Sequence, residues 1–165
     1  MQVKCFKPVI DGDCRVLILG SMPSVISREV NFYYGNPTNR FWKILSALLG
    51  IDFSAMTNDE KTAALLVRHI ALFDVFSVCE IKGSMDGNIK NAEFNDIPSL
   101  IRGTKIKTIY ITSKKAFDAF TKRFGNYFAN EGVKVVNLPS TSSANRSRFK
   151  TDGALFAEWQ KLFVV

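Results

Sequence analysis

The run Arg15–Gly20 (RVLILG) is one charged residue followed by unbroken apolar side chains and a glycine. A strand with no polar face cannot border water on either side. It therefore predicts a central strand of a parallel sheet covered by helices on both faces. Comparable apolar stretches recur at His69–Phe76 (HIALFDVF), Lys105–Ser113 (KIKTIYITS) and Val133–Pro139 (VKVVNLP), with helical spacing between them. Strands alternating with helices predict an α/β fold, a three-layer α/β/α sandwich around a central, mostly parallel four-stranded sheet. A chain of 165 residues is long enough to bury an ample core, and residues 1–165 read as a single domain.

The helices are marked by spacing and by their ends. Phe41, Ile44, Leu45, Leu48 and Leu49 recur every three or four residues and stop at Gly50, predicting a helix begun near Asn39. Thr57 and Glu60 make a capping box that opens a helix through Arg68, with Leu65 and Leu66 inward. A short helix spans Asp96–Ile101. Ser113 caps another through Phe124, with Ala116, Phe117, Phe120 and Phe124 buried and Gly125 as its stop. The closing helix, Asp152–Phe163, turns Leu155, Phe156, Trp159, Leu162 and Phe163 inward. Residues 1–14 read as an irregular lead-in, and Ser77–Asn95 as a long polar connection around the turn sequence SMDGNI, Ser84–Ile89.

The segments rich in functional groups all follow strands. They are GSMPS (Gly20–Ser24), YYGNPTNRFW (Tyr33–Trp42), SMDGNI and LPSTSSANRSRFK (Leu138–Lys150). Ligands of open α/β sheets bind beyond the carboxyl ends of the strands, so these loops are expected to converge on one site. Tyr33 and Tyr34 offer flat faces for a base, and Gly35, Asn36 and Pro37 force a turn. Asn39 either caps the helix or, turned outward, holds a water or a ligand. Arg40 is within reach of a phosphate or a carboxylate. Asp74, a carboxylate inside an apolar strand, either supports the site or satisfies loop amides. The lone imidazole, His69, falls at an element boundary, where a structural role is the default. Arg146, Arg148 and Lys150 suit phosphate oxygens.

Charge and missing signatures narrow the classes. A formal net charge of +7 favours polyanionic partners. Three scattered cysteines, Cys5, Cys14 and Cys79, with one histidine suggest neither a disulfide framework nor a zinc or iron-sulfur site. No Walker A loop follows GSMPS and no GxGxxG stands in the chain. No metal and no cofactor is expected. Without a membrane-length apolar run or a signal-peptide core, the expectation is a cytoplasmic protein, by default a monomer.

Taken in order, strand-GSMPS, then YYGNPTNRFW, then strand-LPSTS resemble the active-site loops of the uracil-DNA glycosylase superfamily. The ALFDV strand and the GSMDGNI loop are similar to those of its hypoxanthine (deoxyinosine) DNA glycosylase branch. The resemblance spans residues 15–150. It implies a DNA glycosylase that flips a deaminated base, hypoxanthine or else uracil or xanthine, and hydrolyses its N-glycosidic bond in base excision repair. The partner implied is DNA containing such a base. With no lysine in the matched loops to form a Schiff base, the enzyme would be monofunctional.

Carried over by residue, Asn39 would hold the attacking water. Tyr34 would stack on the flipped base, and Gly20, Ser21, Met22, Pro23, Asn36 and Asp74 would complete the base pocket. Pro139, Ser140, Thr141 and Ser142 would grip flanking phosphates, with Ala144, Asn145 and Arg146 near the gap in the duplex and Arg40 and Arg148 also on DNA. Five positions depart from the superfamily patterns. Ser21 and Met22 stand where other branches place a catalytic Asn or Asp, and Ser24 and Ser143 stand where glycine and proline are usual. Leu138 precedes Pro139 where others have a histidine, so help for the departing base would fall to amides or water. A binding-only nucleic-acid module and a nucleoside or nucleotide hydrolase on the same scaffold are the alternatives left open.

Overall fold

The computed structural model describes residues 1–165. The first half of the chain forms β1 (Gln2–Lys4), β2 (Val16–Gly20), α1 (Val25–Val30), α2 (Phe41–Leu49), α3 (Asn58–Val67), β3 (Ile70–Asp74) and β4 (Phe76–Glu80). The second half forms β5 (Lys90–Phe94), α4 (Ile97–Ile101), β6 (Thr108–Ile111), α5 (Lys114–Asn130), β7 (Lys134–Asn137) and α6 (Asp152–Leu162). Four strands make the central sheet in the order β3-β2-β6-β7, every neighbouring pair parallel. This is the α/β architecture that the unbroken apolar run demands.

Every residue of β2 and β3 is buried. Helices surround the sheet, with α3 on β3, α5 on β6 and β7, and α2 against α6. Trp159, Phe41, Phe53, Phe120 and Phe128 are its largest fully buried side chains. Each large aromatic removed from water contributes on the order of 1.5–3 kcal/mol, so the aromatic content is concentrated where it stabilises most. Both halves of the Thr57/Glu60 capping box form. Gly50 closes α2 with φ 65°, a left-handed turn that glycine takes without strain.

Four local expectations are corrected. The N-terminal lead-in is not irregular throughout, because β1 pairs antiparallel with β4. The polar connection after β3 is not one loop: β4 and β5 pair antiparallel, making a second, three-stranded sheet ordered β1-β4-β5. Five residues of α5 lie beyond Gly125, the expected stop; the mid-helix glycine costs about 1 kcal/mol, and Phe128, stacked on Phe120 at 5.5 Å and 10°, offsets it by burial. Leu162 faces outward, 38% exposed, because α6 ends there and Phe163 takes the inward position. No helix is long and apolar enough to cross a membrane.

Candidate active site

A cleft of about 460 Å³ opens beyond the carboxyl ends of β2, β3 and β6. Its lining draws on all four loops: GSMPS, the turn from Tyr33 to Asn39, Ser84–Gly87, and Ser140–Asn145. The expected convergence therefore exists, and sheet register sets its floor. Gly20 pairs with Asp74 across β2 and β3. A Cβ on Gly20 would sit 2.8 Å from Asp74 Oδ1 and 3.4 Å from the Tyr34 hydroxyl, so only glycine lets these groups meet. Gly20→Ala is expected to lower stability by about 1–3 kcal/mol, read as a shifted urea midpoint at unchanged slope.

Asp74 is the strongest electrostatic feature of the cleft. It is 3% exposed, and its Oδ2 has no hydrogen-bond partner in the protein. Burial, reinforced by the nearby Asp86 charge, pushes its carboxyl up to about 7. The loop amides do not use it: Val75 and Phe76 donate to the carbonyls of Gly20 and Ser21 instead. Asp74 thus does not serve the loop amides, and it lines the cleft.

Tyr34 stands at φ 51° with its ring stacked on Phe41, centroids 3.7 Å apart and planes 10° from parallel. Its hydroxyl bonds Thr112 Oγ1 at 3.0 Å, and burial raises its pKa. One face of the ring is thus spent on the core, and any base must use what the cleft leaves of it. Tyr33 borders the cleft but leaves almost no ring surface exposed. It is buried, its hydroxyl donating to Lys7 O at 2.7 Å.

Asn36 Oδ1 accepts from Thr38 N and Thr38 Oγ1, which closes the turn. Asn39 Oδ1 accepts from Phe41 N at 2.9 Å. The side chain holds an orphan amide of α2 and also lines the cleft. A carbonyl oxygen has a second lone pair and the amide nitrogen two further donors, so capping leaves capacity for a water.

Arg40 is the clearest correction. It is 2% exposed, its Nη1 donates to Phe149 O at 2.7 Å, and Asp152 Oδ1 lies 3.9 Å away. Burial, with the Arg146 charge second, lowers its pKa. The guanidinium ties α2 to the approach of α6 and is buried, so it is not open to a phosphate at the surface. Arg40→Ala is expected to cost about 2–4 kcal/mol of stability, measured by urea denaturation.

The last loop is braced from within. Arg40 N donates to Thr141 O, Asn145 Nδ2 to Ser140 O, and Trp159 Nε1 to Pro139 O, each at 2.9 Å. Thr141 is 1% exposed, so it braces the loop where a grip on phosphate was expected. Ser140 and Ser142 line the cleft; Arg146 and Arg148 follow in the chain and are exposed, Arg148 lying over the Phe149 ring. Met22 and Pro23 complete the opposite wall.

Asp86 escapes a reading of the sequence because SMDGNI has the composition of a solvated turn. Its two carboxylate oxygens accept from Ser21 Oγ and Ser113 Oγ, and Lys115 Nζ donates to its carbonyl at 2.8 Å. One aspartate thereby ties three chain segments around the cleft. A lone acidic residue between two glycine-containing turns is the only signal the sequence offers.

The chain is similar to known proteins along nearly its whole length. The Uracil DNA glycosylase superfamily profile matches residues 8–163. A protein of Methanosarcina barkeri named Hypoxanthine DNA glycosylase is 31% identical over 160 residues, 96% of this chain and 98% of that one. One of the same name from Methanosarcina acetivorans is 33% identical over 159 residues, 96% of each chain. A solution NMR structure from Methanosarcina acetivorans superposes with a TM-score of 0.81 at 33% identity, covering 98% of this chain and 96% of that one. With sequence match and superposed fold both running nearly end to end, the chain belongs to the uracil DNA glycosylase superfamily.

Proposed function

We propose that this chain is a monofunctional DNA glycosylase that removes a deaminated base, hypoxanthine foremost, by hydrolysing its N-glycosidic bond in base excision repair. The observation that carries the reading is one cleft lined by both the Asn39 amide and the buried Asp74 carboxyl, beyond the strand ends of this superfamily's fold. Both full-length relatives carry the hypoxanthine name.

In this reaction water adds across the bond between C1′ and the base nitrogen. Its oxygen joins the sugar, the bonding electron pair leaves with the base, the base takes up a proton, and the water gives one up. Asn39 holds the water against C1′, a positioning effect. The base departs as an anion in the making, and a protonated Asp74 donates a hydrogen bond to it without adding negative charge. This supplies the leaving-group help that Leu138 cannot give. Ser140 and Ser142, with Arg146 and Arg148 after them in the chain, meet the flanking phosphates.

The test is a set of end-labelled oligonucleotides bearing one deoxyinosine, deoxyuridine or deoxyxanthosine, treated with alkali to break abasic sites. Excision greatest at deoxyinosine, with no strand break before alkali, is the expected result. Turnover of free deoxyinosine, with oligonucleotides untouched, would favour a nucleoside hydrolase instead. Binding without excision of any base would favour a binding module.

A further inference from the structure

We infer that Asp86 decides which bases the cleft accepts, by holding the hydroxyl protons of Ser21 and Ser113 so that both oxygens can only receive a hydrogen bond. The inference rests on the glycosylase reading and deepens it, naming the feature by which a deaminated base is told from its parent. Ser21 Oγ donates to Asp86 Oδ1 and Ser113 Oγ to Asp86 Oδ2. A carboxylate accepts and cannot donate, so each serine gives its one proton there. Ser113 Oγ also accepts from Ala116 N at 3.2 Å, which leaves it one lone pair, and Ser21 Oγ keeps two. Ser21, Ser113 and Asp86 all line the cleft, and the two serines follow β2 and β6, neighbours in the sheet.

Anchoring the turn does not require this carboxylate. Lys115 Nζ already holds the turn through the carbonyls of Asp86, at 2.8 Å, and Ile89, at 3.2 Å, and Val25 N donates to Ser84 Oγ at 3.0 Å. What the carboxylate adds is direction. A free serine hydroxyl rotates to donate or accept as its neighbour demands, whereas these two offer lone pairs alone. Deamination alters that same property of a base. Adenine N1 is a bare lone pair and hypoxanthine N1 carries a hydrogen; cytosine N3 and uracil N3 differ in the same way. The N–H of the deaminated ring finds an acceptor, while the parent base sets lone pair against lone pair. A site arranged to bond a substrate N–H strongly rejects the analogue that lacks it.

The test is the affinity for single-stranded oligonucleotides carrying hypoxanthine, adenine or unsubstituted purine on a 2′-fluoroarabinose, a sugar that resists cleavage. Purine has the lone pair of adenine at N1 and nothing at C6, so it isolates the ring nitrogen. Wild type is expected to prefer hypoxanthine over both. Asp86→Asn presents an amide N–H to one serine and frees that serine's proton for the cleft, so the preference should narrow roughly ten- to hundred-fold, partly through tighter binding of purine. Because Asp86→Asn also removes a charge near Asp74, Ser21→Ala is run beside it. That variant leaves the charge in place and should narrow the preference through loss of hypoxanthine binding alone. A preference unchanged in either variant, or narrowed by Asp86→Asn for adenine and not for purine, overturns the inference, as does a wild type that does not discriminate. If Asp86→Asn does not fold, Ser21→Ala decides alone. A preference that depends on these residues, with ordinary deoxyinosine left intact by wild type, keeps the base reading and strikes the glycosylase reading.

Discussion

Asn39→Ala is expected to reduce excision of deoxyinosine by roughly 10²–10⁴-fold while leaving a folded protein, since positioning a water contributes on that scale. The variant also removes the acceptor for Phe41 N, which costs about 1 kcal/mol at the start of α2. Two roles in one side chain call for a variant that separates them. Asn39→Ser retains a capping oxygen but loses the amide's reach into the cleft. Near-wild-type stability with excision still lost is the outcome for a water-holding amide. Equal excision by Asn39→Ser and wild type would reduce Asn39 to a cap and move the water elsewhere.

Asp74 should impose a falling pH limb. If the protonated carboxyl assists departure, excision holds steady below its value of about 7 and declines about tenfold per pH unit well above it. Asp74→Asn keeps a donor and cannot ionise, so its profile should be flat through that range. A rate that climbs as pH rises through 7 would instead make Asp74 a carboxylate base acting on water. Stability gives an independent reading of the same group. The unfolded carboxyl titrates near 3.8 and the folded one near 7, so between those values the folded state binds more protons. Stability contributed by this group is then lost as pH rises from 4 to 7. At pH 8 Asp74→Asn is expected to be more stable than wild type by roughly 1–3 kcal/mol, because a buried unpaired charge is gone.

The parts legible in the sequence are those governed by local rules. An unbroken apolar run can only be an interior strand, and Thr57 with Glu60 can satisfy each other's backbone without tertiary help. Long-range pairing is invisible there. β1 is three residues that become a strand only because Cys79 and its neighbours lie alongside. In β4 and β5 the burial is partial, so their composition resembles that of a loop. Gly125 looks like a stop because the stacking of Phe128 on Phe120 depends on the completed helix.

Site residues divide along the same line. Asn39, Asp74 and the serines of the last loop are placed at the cleft by topology alone, since everything beyond the strand ends meets there. Arg40 misleads because charge in a loop reads as solvated, whereas here a carbonyl from residue 149 receives it. Tyr33 misleads for a similar reason, its partner being the carbonyl of Lys7. Asp86 joins segments far apart in sequence, and no spacing announces it.

The most direct measurement is single-turnover excision from a duplex containing one deoxyinosine, following released base by chromatography and the alkali-labile site on a gel. Free hypoxanthine appearing in step with the abasic site, from wild type and not from Asn39→Ala, is the result expected of a hydrolytic glycosylase built on this cleft. A duplex that is bound but yields no free base would contradict it, as would equal release by Asn39→Ala.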